Sequence, residues 1–127
     1  MDLSKFKSGH PEFYKTLYKM AEIHNRKNQD YGGGDPVGNF YEAEKLGISA
    51  WKGCLIRLTD KYSRVINLAS GKAPAVEDEK IEDTLIDLAN YAVLTLVLLK
   101  ERKSELTEEE LLRWQMEQWA EEYLWGV

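Results

Sequence analysis

A chain of 127 residues with 43% hydrophobic and 31% charged side chains can hide roughly two-thirds of its unfolded surface in one domain, and is too short for two. Its formal net charge of −5 has the wrong sign for a protein held on nucleic acid by phosphate neutralisation, so stable nucleic-acid binding is not expected. The single Cys54 rules out an internal disulfide, and the longest nearly apolar run, Leu88 to Leu99, is well short of the ~20 residues that cross a bilayer. No signal peptide opens the sequence, and a cytoplasmic protein without membrane contact is the expectation.

Three prolines and nine glycines are too few and too clustered to separate many short strands, so helices are expected throughout. Pro11 suits a first helical residue, and Phe13, Leu17, Met20 and His24 recur at spacings of three and four, predicting a helix over about 11–28. His24, on that apolar side, reads as a core histidine rather than a ligand. Asp30-Tyr31-Gly32-Gly33-Gly34 ends this helix, and Asp35-Pro36 begins a short second one carrying Phe40, Ala43 and Leu46 and stopped by Gly47. Ser49 caps the next. Over about 50–69, Trp51, Leu55, Leu58, Tyr62, Ile66 and Ala69 form one stripe, which reads as core, before Ser70-Gly71-Lys72-Ala73-Pro74 ends the helix.

The longest element is predicted over about 77–102, with Glu77, Asp78 and Glu79 at the positive end of its dipole and Arg102-Lys103 at the other. Thr107 and Glu110 make a capping box for a last helix lined by Leu112, Met116, Trp119 and Tyr123. Residues 101–127 hold eight acids and three bases and so carry the whole net charge. Their aromatic content predicts a packing or oligomerisation role for 104–127 within a single all-α domain.

On the long helix Ile81, Leu85, Leu88, Ala92 and Leu99 share one side at about 100° per residue, an ordinary core stripe. Glu79, Asp83 and Asp87, at i, i+4 and i+8, lie opposite with Asn90. That spacing also suits a plain solvated face. The same side, however, carries Ile86, Leu94, Val97 and Leu98, so the carboxylates are expected to be partly covered and to need cations. Mg²⁺, with Mn²⁺ as an alternative, takes such oxygen ligands and keeps open positions for phosphate. On the preceding helix Arg57, Asp60, Lys61, Arg64 and Asn67 gather away from Leu55 and Tyr62. Facing the acidic side across a cleft, they would supply cations for phosphate oxygens and, through Asp60, one more metal ligand. Between the first two helices Lys27, Tyr31, Asn39 and Phe40 surround the glycine run. This segment reads either as a lid that closes on phosphate and base or as a flexible turn.

At Lys27-x-x-Asp30-Tyr31-Gly32, Asn39-Phe40, Asp60-Lys61-x-x-Arg64 and Asp83-Thr84-Leu85-Ile86-Asp87-Leu88-Ala89-Asn90-Tyr91 the chain resembles a known family. It is similar to the all-α, MazG-like nucleoside triphosphate pyrophosphohydrolases, and more closely to their phage-associated relatives, the nucleotide-modification-associated domains. The seven-residue step from Asp83 to Asn90 matches the family's ligand-to-Asn spacing. The usual pattern has Glu-x-x-Glu on one helix and Glu-x-x-Asp on the next; here the first pair is Arg57-x-x-Asp60, and Lys80 occupies the position ahead of Asp83, one residue from Glu79.

The resemblance implies a bundle of four to five helices completed as a dimer or tetramer, using Mg²⁺ to cleave a (deoxy)nucleoside triphosphate into monophosphate and pyrophosphate. Asp60, Glu79, Asp83 and Asp87 would hold metal, with Glu79, Asp83 and Asp87 catalytic. Lys27, Tyr31, Asn39, Arg57, Lys61, Arg64 and Asn90 would bind the substrate. The departures from the acid pattern leave two alternatives: a non-catalytic nucleotide-binding accessory of nucleotide modification, and a helical interaction module.

Overall fold

In the computed structural model, residues 4–30, 37–72 and 80–124 are described, with side chains for the same residues except Asp30 and 103–105. They form an all-α structure: α1 (Pro11–Asp30), a 3-10 helix (Gly38–Leu46), α2 (Ala50–Ala69), α3 (Ile81–Glu105) and α4 (Glu108–Tyr123), with no strand among the described residues. The expected glycine run, Tyr31, Glu77 to Glu79 and Trp125 lie outside the described residues.

Local chemistry accounts for most of the boundaries. Gly47 ends the 3-10 helix in the left-handed region at φ 77°, donating its N–H to Glu44 O at 3.0 Å, a conformation that is cheap for glycine. The short helix expected there is a 3-10 helix, tighter than an α-helix. Ser49 occupies the N-cap of α2 in an extended conformation, but its side chain makes no capping bond. Thr107 does cap α4: its hydroxyl accepts from the Glu110 N–H at 3.2 Å and donates to the Glu110 carboxylate at 3.1 Å, so the first bond of a capping box is made and the carboxylate closes on the hydroxyl.

The architecture centres on α2 and α3, which pack together as an antiparallel hairpin with the 3-10 helix against α2. Cys54 and Arg57 reach Tyr91, and Lys61 reaches Asp87, so contacts run down one helix as they run up the other. α1 and α4 touch the remainder only sparsely. Val37, Ala50, Cys54 and Leu98 form the buried cluster, with Phe40, Tyr41, Trp51, Tyr91 and Leu94 packed around it. Gly53 lets the 3-10 helix approach α2: a Cβ at this position would lie 2.9 Å from the Ala43 Cβ.

The seam differs from the core stripes read off the sequence. Its buried members are small or hydroxylic: Ala50, Cys54, Thr84 and Thr95, besides Leu98. Small side chains let two helix axes come close, and the hydroxyls are bonded within their own helix, Thr84 to Lys80 O at 3.2 Å and Thr95 to Tyr91 O at 2.7 Å. The bulkier Leu55, Tyr62, Ile66, Leu85 and Ala92, expected to be core, are exposed. His24 is likewise exposed rather than a core histidine, with the Asn28 amide donating to its carbonyl at 2.8 Å.

Candidate functional site

Because α2 and α3 are antiparallel right-handed helices, residues displaced in the same rotational sense from the seam fall on the same face of the hairpin. Arg57, Asp60 and Arg64 are displaced in one sense on α2, as are Asp83, Asp87 and Asn90 on α3. These six side chains therefore share one ionic face, with Lys61 at the seam. The ionic sides lie next to each other rather than opposed across a cleft as expected, since the seam itself is filled by side chains.

One ion pair crosses the face. Lys61 Nζ lies 3.2 Å from the Asp87 Oδ2, and both side chains are partly covered. The arrangement commits a base and an acid expected to act separately on phosphate and metal to each other. Asp60, Arg64 and Asp83 are exposed, and among the described residues no ion pair is formed by them. Nor do three acidic, histidine or cysteine side chains converge as a metal-binding group among the described residues.

Beside this pair stands an aromatic arrangement that the sequence reading did not single out. The Arg57 guanidinium lies over the Tyr91 ring at 5.7 Å from its centroid and donates to the Tyr91 hydroxyl at 3.3 Å. Phe40 of the 3-10 helix meets Tyr91 edge to face at 6.1 Å, and the neighbouring Tyr41 hydroxyl hydrogen-bonds the Glu101 carboxylate. Behind the ring, Cys54 Sγ donates to Tyr91 O at 3.4 Å. Burial pushes the Cys54 thiol above its ordinary range, an effect partly offset by its hydrogen bond with Thr95 and by the Arg57 charge. The sequence carries a faint sign of this arrangement, since Arg57 and Tyr91 occupy matched positions once the hairpin register is known.

The other expected site residues are distributed less tightly. Asn39 is exposed on the 3-10 helix beside Phe40, and Lys27 is exposed on α1, a helix in sparse contact with the hairpin. Tyr31 and Glu79 lie outside the described residues. The structure thus brings together Arg57, Asp60, Lys61, Arg64, Asp83, Asp87 and Asn90, and does not bring Lys27 to them.

Comparison with known proteins adds one finding. The family model described as nucleotide modification associated domain 1 matches residues 47–99, a stretch that takes in all of α2 and most of α3, and so every residue of the ionic face. Lys27, Tyr31 and Asn39 fall outside the match. No curated protein and no solved structure matches the chain. The finding makes the hairpin similar to a nucleotide-related domain. Separately, no helix among the described residues is long and apolar enough to cross a membrane.

Proposed function

We propose that the ionic face of the hairpin binds a (deoxy)nucleoside triphosphate together with Mg²⁺ and hydrolyses it to the monophosphate and pyrophosphate. The observation that carries this reading is the sharing of one face by Arg57, Lys61, Arg64, Asp60, Asp83 and Asp87 inside the stretch similar to a nucleotide-related domain. Guanidinium groups match phosphate oxygens in charge and planar geometry, so Arg57 and Arg64 take the phosphate chain. Asp60 and Asp83 are the carboxylates for the metal. Mg²⁺ is commonly held by one or two carboxylates plus substrate phosphates rather than by an all-protein cage, and the acid content of this face fits that mode.

When bound, the metal supplies charge neutralisation at the phosphates. The chain's own groups do the remaining work. Arg57, held by Tyr91, offsets charge that grows on phosphate oxygens as water attacks the α phosphorus and the bond to the bridging oxygen of the pyrophosphate leaving group breaks. Asn90 and Asn39 are the hydrogen-bonding groups for sugar and base, and Phe40 and Tyr91 provide apolar surface for the base. A homo-oligomer is part of the proposal.

Pyrophosphate release from a panel of deoxynucleoside triphosphates with Mg²⁺ or Mn²⁺ tests it, comparing the wild type with Asp83→Asn. Turnover by the wild type and its loss in the variant is the expected result; equal activity in both rejects the role of Asp83. The Lys61–Asp87 pair favours a second reading, a nucleotide-binding accessory without catalysis, because it removes one carboxylate from water activation. Calorimetry separates the two: tight binding of a triphosphate that stays intact with metal supports the accessory. A melting temperature unmoved by metal and nucleotide rejects both, since a ligand that binds only the folded state must raise it.

A further inference from the structure

The ionic face carries three bases, Arg57, Lys61 and Arg64, and three acids, Asp60, Asp83 and Asp87, so the empty face is formally neutral. Among the described residues, Lys61 and Asp87 are the members of this set that form an ion pair. Their pair is unlike the others in the chain. Lys15–Glu12, Lys45–Glu42 and Arg113–Glu109 each lie within one helix, with side chains 66–87% exposed. Lys61 and Asp87 come from different helices and are 20% and 37% exposed. A covered pair of this kind is a poor source of stability, because desolvation of the two charges offsets their attraction and apolar residues of similar size would serve as well. What it does is hold a base and an acid 3.2 Å apart in a neutral form.

The spacing along α2 places Lys61 between the two guanidinium groups. Arg57, Lys61 and Arg64 follow one another at i, i+4 and i+7, and about 10 Å of helix rise separates the two arginines. A phosphate chain held by both arginines therefore passes the Lys61 ammonium. Its oxygens carry more negative charge than one carboxylate, and they repel Asp87. Lys61 can follow the phosphates because its ammonium sits on a flexible four-carbon stem. We infer that Lys61 changes partner: Asp87 holds it in the empty protein, and a polyphosphate ligand takes it, leaving the Asp87 carboxylate unneutralised beside the phosphate chain.

This exchange rests on the nucleotide reading proposed above and adds to it how the same face is regulated. The carboxylate that the pair withholds from water in the empty protein is withheld only until the phosphates arrive, so the ligand, and not the fold alone, sets the charge of the site. The exchange also separates ligands by length. A single phosphate group does not span Arg57 and Arg64, and it leaves the pair closed.

Carbon-13 NMR of the full chain at neutral pH tests the inference by following the Asp87 side-chain carboxyl, assigned through its own backbone so that the decision needs no variant to fold. Inorganic tripolyphosphate, added with EDTA, is expected to move this resonance toward the position it has in ligand-free Lys61→Gln, where the ammonium is gone. Orthophosphate at the same ionic strength is expected to leave it in place. Calorimetry on the same samples reports binding independently. Heat of binding with an unmoved Asp87 resonance overturns the exchange and leaves the nucleotide reading standing, as does binding of tripolyphosphate that needs Mg²⁺ and is absent with EDTA. An equal movement with orthophosphate overturns the exchange too, since any anion would then open the pair. No heat with tripolyphosphate or with a deoxynucleoside triphosphate, in EDTA or in Mg²⁺, overturns both.

Discussion

Gly53→Ala is the substitution whose sign depends most directly on the tertiary structure. Within an α-helix, Gly to Ala stabilises by about 1 kcal/mol, because glycine loses more backbone entropy on folding. Here the added methyl would lie 2.9 Å from the Ala43 Cβ, well inside the roughly 3.5–4.0 Å at which carbon atoms attract. Neither atom sits on a flexible side chain, so relief requires the 3-10 helix to move off α2, and overpacking of this kind costs about 1–3 kcal/mol. The expected result is a protein unchanged or destabilised by up to about 2 kcal/mol, with Phe40 displaced from Tyr91.

Urea denaturation of four proteins provides the assay: wild type, Gly53→Ala, Ala43→Gly and the double variant. Removing the Ala43 methyl takes away the obstacle, so Gly53→Ala is expected to stabilise the Ala43→Gly background by about 1 kcal/mol. A coupling of about 1–3 kcal/mol between the two sites is the signature. If Gly53→Ala stabilises by the same amount in both backgrounds, the 3-10 helix does not press on α2, and the positioning of Phe40 and Asn39 beside the ionic face falls with it.

Further outcomes follow from the same packing. Leu98 is 2% exposed, and Leu98→Ala is expected to cost about 2–5 kcal/mol in urea unfolding through the cavity it leaves. Tyr91→Phe keeps the ring beneath Arg57 and the contact with Phe40 but removes the hydroxyl that Arg57 donates to at 3.3 Å. It is expected to weaken triphosphate binding in calorimetry about 5- to 10-fold, the loss of one modest hydrogen bond, with little change in stability. The raised pKa of Cys54 keeps its thiol protonated at neutral pH, so alkylation is expected to be slow in the native protein and fast after unfolding. Since the folded pKa lies above the unfolded one, this group's contribution to stability is fully present below the ordinary thiol range and is lost as pH rises through the folded value. Denaturant midpoints measured from neutral to alkaline pH check the sign.

The placement of the helices was legible because it is governed by local chemistry. The stop at Gly47, the end of α2 after Ala69 and the Thr107–Glu110 cap each involve interactions within a few residues. The distinction between an α-helix and the 3-10 helix of Gly38–Leu46 was not legible, since the two patterns differ by less than one residue per turn. The residues of the ionic face were also legible, because periodicity on one helix assigns them to one side. Their relation to each other was not: the Lys61–Asp87 pair and the Arg57–Tyr91 contact depend on the register of two helices separated in sequence by residues 70–80.

By itself, then, the sequence determined an all-α chain, two amphipathic helices with ionic and apolar sides, and a resemblance to nucleotide-handling domains. Tertiary structure decided which side of each helix became the seam. Hydrophobic pattern ranks residues by their cost of exposure, whereas the approach of two helix axes is governed by side-chain size and by hydroxyls that can satisfy themselves within their own helix. Ala50, Cys54, Thr84 and Thr95 meet those conditions, so the seam formed on them. Leu55, Tyr62 and Leu85 were left on an outer face, and the carboxylates and guanidinium groups came to lie side by side on the other.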